Sequence, residues 1–424
     1  MELGYRRRVV DTTLDEVQPD LAAVSLYGPK GVGKTATAQR RAASSLRLDL
    51  TDDVERLLAD PGLLRTLPAP LLIDEWQRVP QVWDWIRREV DATSAAGRFL
   101  ITGSSAPRGA AIHSGAGRIV GFRVRPLSLA EREGARPSVS LSKMLSGNAS
   151  IEGETDVVLE NYVTEIVGSG FPGIRNSSSE RVQRALLDTY IDNVVQREFA
   201  EQGFPVRKPE TLRAWLAGYA AATASTAKYV EILDAATSNQ SDKPAKTTTM
   251  IYRQALEGLW LLDPTPAWLP RASFLAQLGQ AAKHHLADTA LAARLLNLDA
   301  ASLMGGHYNQ TSLGRGTILG MLFESLADLS VKVYAQAAEA SVYHLRDRNG
   351  RHEIDLIVEG LGGRVVAFEV KLAATLPSGS GENLHWLKRV LGARLIDTAI
   401  LTTGRAAYRR QDGIAVIPLA LLGP

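Results

Sequence analysis

The 424-residue sequence contains no cysteine. That single absence removes disulfide frameworks, thiolate zinc sites, iron–sulfur clusters and cysteine nucleophiles, and it fits a reducing compartment. Charge of one sign is also lacking: 48 basic and 46 acidic side chains leave a formal net charge of +2, no global electrostatic footprint for nucleic acid. No apolar run approaches the ~20 residues of a membrane span. The most Ala-rich stretch, Leu212–Ala224, is short and contains Arg213. After the basic cluster Arg6-Arg7-Arg8 come Asp11, Asp15, Glu16 and Asp20, where a signal peptide would need apolar residues. The expectation is a cytoplasmic protein with no membrane partner. What is present is a 45% hydrophobic composition over a length that suits two to four domains.

Residues 1–135 alternate short apolar runs with amphipathic stretches and Gly/Pro turns. Val24–Tyr27, Leu46–Leu50, Leu71–Ile73, Phe99–Thr102 and Ile119–Val124 are continuous apolar runs rather than alternating ones. Such runs predict strands buried on both faces, hence a mainly parallel sheet flanked by helices, an α/β domain. A polar stretch, about Gly134 to Glu154, reads as a linker or mobile loop. Residues 136–205 form a linker and helical region broken at Gly170-Phe171-Pro172. Helix candidates over 206–270 are interrupted by a polar run that includes Ser238–Ser241. The remainder, 271–424, ends in a second α/β block with strands at Ala340–Leu345, Glu353–Val358, Val365–Val370, Ile396–Thr402 and Ile414–Ile417.

The sharpest motif is Gly28-Pro29-Lys30-Gly31-Val32-Gly33-Lys34-Thr35, which follows one apolar strand and precedes a helical pattern. Glycines let backbone N–H groups wrap a β-phosphate, Lys34 places an ammonium at the β- and γ-phosphates, and Thr35 offers a hydroxyl to Mg²⁺. ATP with Mg²⁺ is the implied cofactor. About forty residues on, Leu71-Leu72-Ile73 ends in Asp74-Glu75. Asp74 would hold the metal and Glu75 would polarise the attacking water as general base. A third apolar strand ends in Thr102-Gly103-Ser104-Ser105, where Ser104 or Thr102 would sense the γ-phosphate.

Together with Trp76-Gln77-Arg78-Val79-Pro80, Gly117-Arg118 and Arg125-Pro126-Leu127-Ser128-Leu129-Ala130-Glu131, these strings resemble the bacterial and archaeal AAA-type ATPases whose C-terminal region is the DUF4143 domain. The resemblance implies an AAA+-like (ASCE-type) P-loop NTPase fold. It also makes Arg118 a candidate arginine finger acting in trans, and so implies a homo-oligomer. Trp76 departs from the aliphatic residue usual there. The likeness continues through Gly170-Phe171-Pro172 and Tyr190–Glu198, where Arg197-Glu198 stands for the family's Arg-Asp.

Residues 208–268 look like a winged-helix unit, with Thr247 or Thr248 as a cap and Lys246, Tyr252 and Arg253 placed to face a duplex. Seven basic against five acidic side chains over 204–260 is a weak charge for a DNA reader. In the last block, Glu353-Ile354-Asp355 and Glu369-Val370-Lys371 lie on strand patterns, and Glu324 sits on an amphipathic helix. This order resembles the PD-(D/E)xK nuclease core, which would give Asp355, Glu369 and Glu324 to Mg²⁺ and Lys371 to the water. His284-His285 reads as a helical pair that cannot share a metal; His113, His307, His352 and His385 are isolated. Three readings follow: an ATPase coupled to an effector half, an ATP-regulated DNA nuclease, or a nucleotide-controlled binding switch.

Overall fold

The structure, a computed structural model, describes residues 5–93, 95–105, 117–201, 203–204, 208–237, 246–269, 281–305, 317–347 and 350–424. His113, His307, Asn349, the run Ser238–Ser241 and the side chain of Lys246 lie outside the described residues. Two compact units are formed. The first comprises Met1–Arg125, Arg197–Pro205 and Gln254–Leu261; the second comprises Pro126–Gln196, Val206–Arg253 and Leu262–Pro424.

Five strands build the first unit: β1 (Ala23–Tyr27), β2 (Ser44–Arg47), β3 (Leu71–Asp74), β4 (Phe99–Gly103) and β5 (Ile119–Arg123). All pairings are parallel, in the order β2-β3-β4-β1-β5. Every residue of β3 and β4 is buried, which is why both are apolar up to Asp74 and Thr102 at their carboxyl ends. On one face, Leu71, Ile73, Phe99 and Ile101 pack against Val82, Ile86 and Val90, which the four-residue spacing brings to one side of the helix Val82–Thr93. Truncating Ile86 to Ala would cost about 2–5 kcal/mol. Because β4 lies between β1 and β3, the carboxyl ends of these three strands are neighbours. Ligands of open parallel sheets bind at such ends.

The second unit holds β6 (Val139–Ser140), β7 (Gly153–Glu154), β8 (Ser341–Arg346), β9 (Glu353–Glu359), β10 (Val365–Val370), β11 (Leu395–Thr402), β12 (Ala406–Arg409), β13 (Ala415–Pro418) and β14 (Leu422–Gly423). Seven of them form a mixed sheet ordered β7-β12-β13-β11-β10-β9-β8. The pairs β8–β9 and β9–β10 are antiparallel, while β10–β11 and β11–β13 are parallel. Leu384 and Leu387 of the helix Glu382–Leu391 cover Ile354, Ile357, Ala367 and Ile400.

Several expectations are corrected here. The stretch 134–154, expected as a linker or mobile loop, contributes β6, β7 and the helix Leu141–Ser146, which buries Leu141 and Met144. Residues after Arg125 pack with the second unit: Ser330 Oγ accepts from Leu129 N–H at 3.1 Å and Tyr334 Oη from Ala130 N–H at 2.9 Å. His284 and His285 lie in an extended segment, not a helix, because Lys283 and Leu286 bridge to Thr265 and Leu262. Residues 208–258 form helices Pro209–Ala221, Tyr229–Ala236 and Lys246–Gly258. Tyr252 is buried and rings with Trp215 at 6.2 Å, so it does not face outward to a duplex; Arg253 lies over the Tyr229 ring at 4.9 Å. Among the described residues no helix is long and apolar enough to cross a membrane.

Candidate functional site

The loop between β1 and the helix Lys34–Gln39 turns on glycines. Gly28, Gly31 and Gly33 have φ of 151°, 81° and 97°, and a Cβ on Gly28 would lie 2.1 Å from the Val124 carbonyl oxygen. No other residue fits such a close approach. Arg8, which the sequence offered only as part of a basic cluster, braces the loop: it donates to Val32 O at 2.9 Å and to Arg125 O at 2.7 Å. Lys34 Nζ donates to Gly28 O at 2.9 Å and Pro29 O at 2.8 Å, which holds the ammonium over the loop. Burial pushes the Lys34 pKa down to about 8, against the opposing pull of Glu75, Asp74 and Glu198. A buried ammonium bonded only to carbonyls is short of negative charge, and phosphate oxygens would supply it. Pro29, Lys30, Val32 and Thr35 lie on the same loop, and Lys30 pairs with the buried Glu198 at 3.5 Å.

Asp74 ends β3 and is buried. Thr35 Oγ1 donates to its Oδ1 at 2.8 Å, and the Thr102 hydroxyl donates to the same oxygen. This juxtaposition of a hydroxyl and a carboxylate beside the phosphate loop fits Mg²⁺, a hard cation taking oxygen donors and leaving room for phosphate. Glu75, the next residue, adopts a left-handed backbone (φ 56°), uncommon for a non-glycine residue and a mark of local strain at functional positions. That turn redirects its carboxylate to accept from Gln77 Nε2 at 2.5 Å and Ser104 Oγ at 3.3 Å. Gln77 also donates to Ser104 Oγ at 3.2 Å. Thus Glu75 and Ser104 come together as expected from sequence order, Thr102 takes the Asp74 side, and Gln77 is a site residue the sequence reasoning did not single out.

Arg118 is not brought to this loop. It pairs with Asp91 and is part-exposed. Strand register aligns Ile119 with Ala23 and Arg123 with Tyr27, so Arg118 stands at the opposite edge of the sheet. At about 3.3 Å per residue, five residues of strand separate it from its own phosphate loop by roughly 16 Å. From that edge it does not reach its own phosphate loop.

In the second unit, Glu324, Asp355, Glu369 and Lys371 line one groove of about 840 Å³. Lys371 Nζ lies 3.5 Å from Glu369, and Asp355 Oδ2 accepts from Val370 N–H at 2.8 Å. Glu369 is buried, and its Oε1 has no hydrogen-bond partner. Yet a lysine absent from the sequence reading pairs with three of the acids that line the groove. Lys283 Nζ lies 2.6 Å from Glu324, 3.2 Å from Asp355 and 3.4 Å from Glu353. A divalent ion 4 Å from that ammonium would be repelled by about 8 kcal/mol at an effective dielectric near 20. Among the described residues no group of three His, Cys, Asp or Glu side chains has an arrangement able to hold a metal ion. The residues as placed do not fit the Mg²⁺ that the nuclease resemblance implies.

Comparison with known proteins follows this division of the chain. Residues 21–133 match the model of an AAA domain, and residues 319–422 match that of the domain of unknown function DUF4143. The chain is an AAA-domain protein with a C-terminal DUF4143 domain. Between these, residues 159–302 match a further domain of unknown function, DUF8612. Two uncharacterized proteins, from Mycobacterium bovis and Mycobacterium tuberculosis, are each 28% identical over 403 residues, covering 93% of this chain and 79% of theirs. A solved structure, the Aeropyrum pernix ORC2 protein in ADPNP–ADP complexes, is 14% identical with a TM-score of 0.30, over 70% of this chain and 95% of that one. For an AAA domain, the phosphate loop is the place for nucleotide.

Proposed function

We propose that this AAA-domain protein binds ATP with Mg²⁺ at Gly28–Thr35 and Asp74 and hydrolyses it with Glu75 as general base. The observation that carries the reading is the convergence of Lys34, Thr35, Asp74 and Glu75 at the carboxyl ends of adjoining strands, with Thr35 bonded to Asp74 at 2.8 Å. Mg²⁺ there would neutralise developing phosphate charge. The chain's own part is division of labour: Lys34 meets the phosphates, Asp74 orients the hydroxyl of Thr35, and Glu75 accepts a proton from water. Ser104 and Gln77 fix the direction of the Glu75 carboxylate.

Nucleotide state would reach the effector half through the chain itself. Glu198, which contacts Lys30 of the phosphate loop, belongs to Arg197–Pro205; Val194–Gln196 join that segment to the helix Glu180–Asn193 of the second unit. Loss of the Lys30 pairing when phosphate arrives would free Glu198. Arg118, remote from its own loop, would complete the site of a second copy, so turnover would rise with self-association. The deciding experiment is phosphate release at increasing protein concentration, with and without DNA, with DNA integrity read in the same tube. Mg²⁺-dependent release that Lys34→Ala abolishes is the expected outcome. No release at any concentration, with ATP bound, would replace this reading with that of a binding switch.

A further inference from the structure

Three acids that line the groove of the second unit, Glu324, Glu353 and Asp355, share a cation made of protein. Lys283 is 1% exposed, and its backbone is fixed by reciprocal 2.9 Å hydrogen bonds with Thr265. From that anchor the side chain ends among carboxylates carried by two different elements, the helix Ile318–Ala337 and β9. Its ammonium has three N–H donors, and it meets three acids: Glu324 at 2.6 Å, Asp355 at 3.2 Å and Glu353 at 3.4 Å. The second oxygen of Asp355 is engaged by Val370 N–H. Three carboxylates this close, without a cation, would repel one another and would not stay ionised together. Something positive has to stand between them, and in this chain it is a lysine.

We infer that Lys283 is the resident cation of this acidic cluster, engaging the Glu324 and Asp355 carboxylates that a divalent metal would need and so closing the groove to metal-dependent phosphodiester cleavage. The acids remain as structural partners of the lysine, which ties the extended segment 281–287 to the long helix and the sheet. Metal affinity is then latent in the acids rather than in their present arrangement: Glu324 and Asp355 are spent on the lysine, and removing its charge would free them to turn toward an added cation.

The test uses the full-length chain without nucleotide, carrying Asp74→Asn so that the other carboxylate site is silent, and titrates Mn²⁺ followed by electron paramagnetic resonance. The expected result for the chain with Lys283 is no bound Mn²⁺ that Asp355→Asn removes. Lys283→Met keeps the apolar stem, drops the charge, and is expected to gain one site binding Mn²⁺ about tenfold or more tightly than its parent. Adding Asp355→Asn to Lys283→Met should abolish that site, and Mn²⁺ should raise the Tm of Lys283→Met but not of the parent. An Asp355-dependent Mn²⁺ site in the chain that retains Lys283 would overturn the inference, and this arm decides even if Lys283→Met fails to fold. A folded Lys283→Met that gains no site would overturn it equally.

Discussion

Two buried lysines sit beside carboxylates in this chain, and their surroundings drive them in opposite directions. Lys34 is bonded to carbonyls, and burial pulls its pKa down to about 8 because Glu75, Asp74 and Glu198 only partly compensate. Burial also disfavours the charged form of Lys283, but Glu324, Asp355 and Glu353 outweigh it and hold the group above its ordinary value. The same side chain is thus left wanting an anion in one place and furnished with three in the other. A lysine short of negative charge is suited to receive a phosphate, whereas one already matched is suited to hold a fold together. The difference teaches that motif residues alone do not identify a working site; the count of charges around the cation does.

The comparison breaks most easily at the first site. Replacing Glu75 by Gln removes the proton acceptor and keeps the shape, so ATP should still bind while phosphate release falls by about 10²–10⁴. Equal hydrolysis by the two proteins would remove Glu75 from the role of base. Lys34→Ala deletes the ammonium that awaits phosphate; ATP affinity measured calorimetrically should fall by roughly 10²–10³, as expected when one partner of a buried charge pair is lost. If ATP binds Lys34→Ala as tightly as the parent, the contrast between the two lysines loses its meaning.

The second unit offers a subtler test, because its polar core is closed. His285 is fully buried, its Nδ1 is 3.0 Å from Ser325 Oγ, and burial pushes its pKa down to about 3 in spite of Asp328. Below its unfolded pKa near 6.5 the unfolded chain takes up a proton that the folded chain refuses. Stability is therefore full above that value and declines as pH falls from there toward 3. Between pH 7 and pH 5 the loss from this one group should be about 2 kcal/mol. Urea unfolding of the parent and of His285→Gln at both pH values would check it: the variant should show a pH dependence smaller by that amount. Identical pH dependence would mean that the imidazole is not held neutral.

What could be read from the sequence follows the range of the interactions. The phosphate loop, the Asp74-Glu75 pair and the inner strands of the first sheet are local patterns, in which β1, β3 and β4 are mostly apolar because both their faces are covered. Glu324, Asp355, Glu369 and Lys371 were also legible as a set, since strand alternation and a helix stripe aim them. Lys283 was not. It lies 41 residues from Glu324 in sequence, in a segment whose neighbours Ala282, His284 and His285 show no strand pattern, and the bridge to Thr265 makes it extended. The stretch 134–154 misled for a similar reason: its strands are two residues long and are held by partners at 406–407 and 422–423. Arg8 and Glu198 act on the phosphate loop from a distance along the chain that no local pattern records.

Gln77 offers the finest test of the first site, because it touches the base and not the nucleotide-binding loop. Its amide nitrogen donates to Glu75 at 2.5 Å and to Ser104 at 3.2 Å, while its Oε1 is buried without a partner. An amide held this way lowers the freedom of the Glu75 carboxylate, so it sets where the base points. Gln77→Ala should leave ATP affinity unchanged and lower kcat by about tenfold, the usual scale for losing one positioning hydrogen bond to a charged group. A purely structural role would lower the amount of folded enzyme and leave kcat per folded molecule unchanged, and a shift in ATP affinity with kcat intact would place Gln77 on the binding side of the site instead.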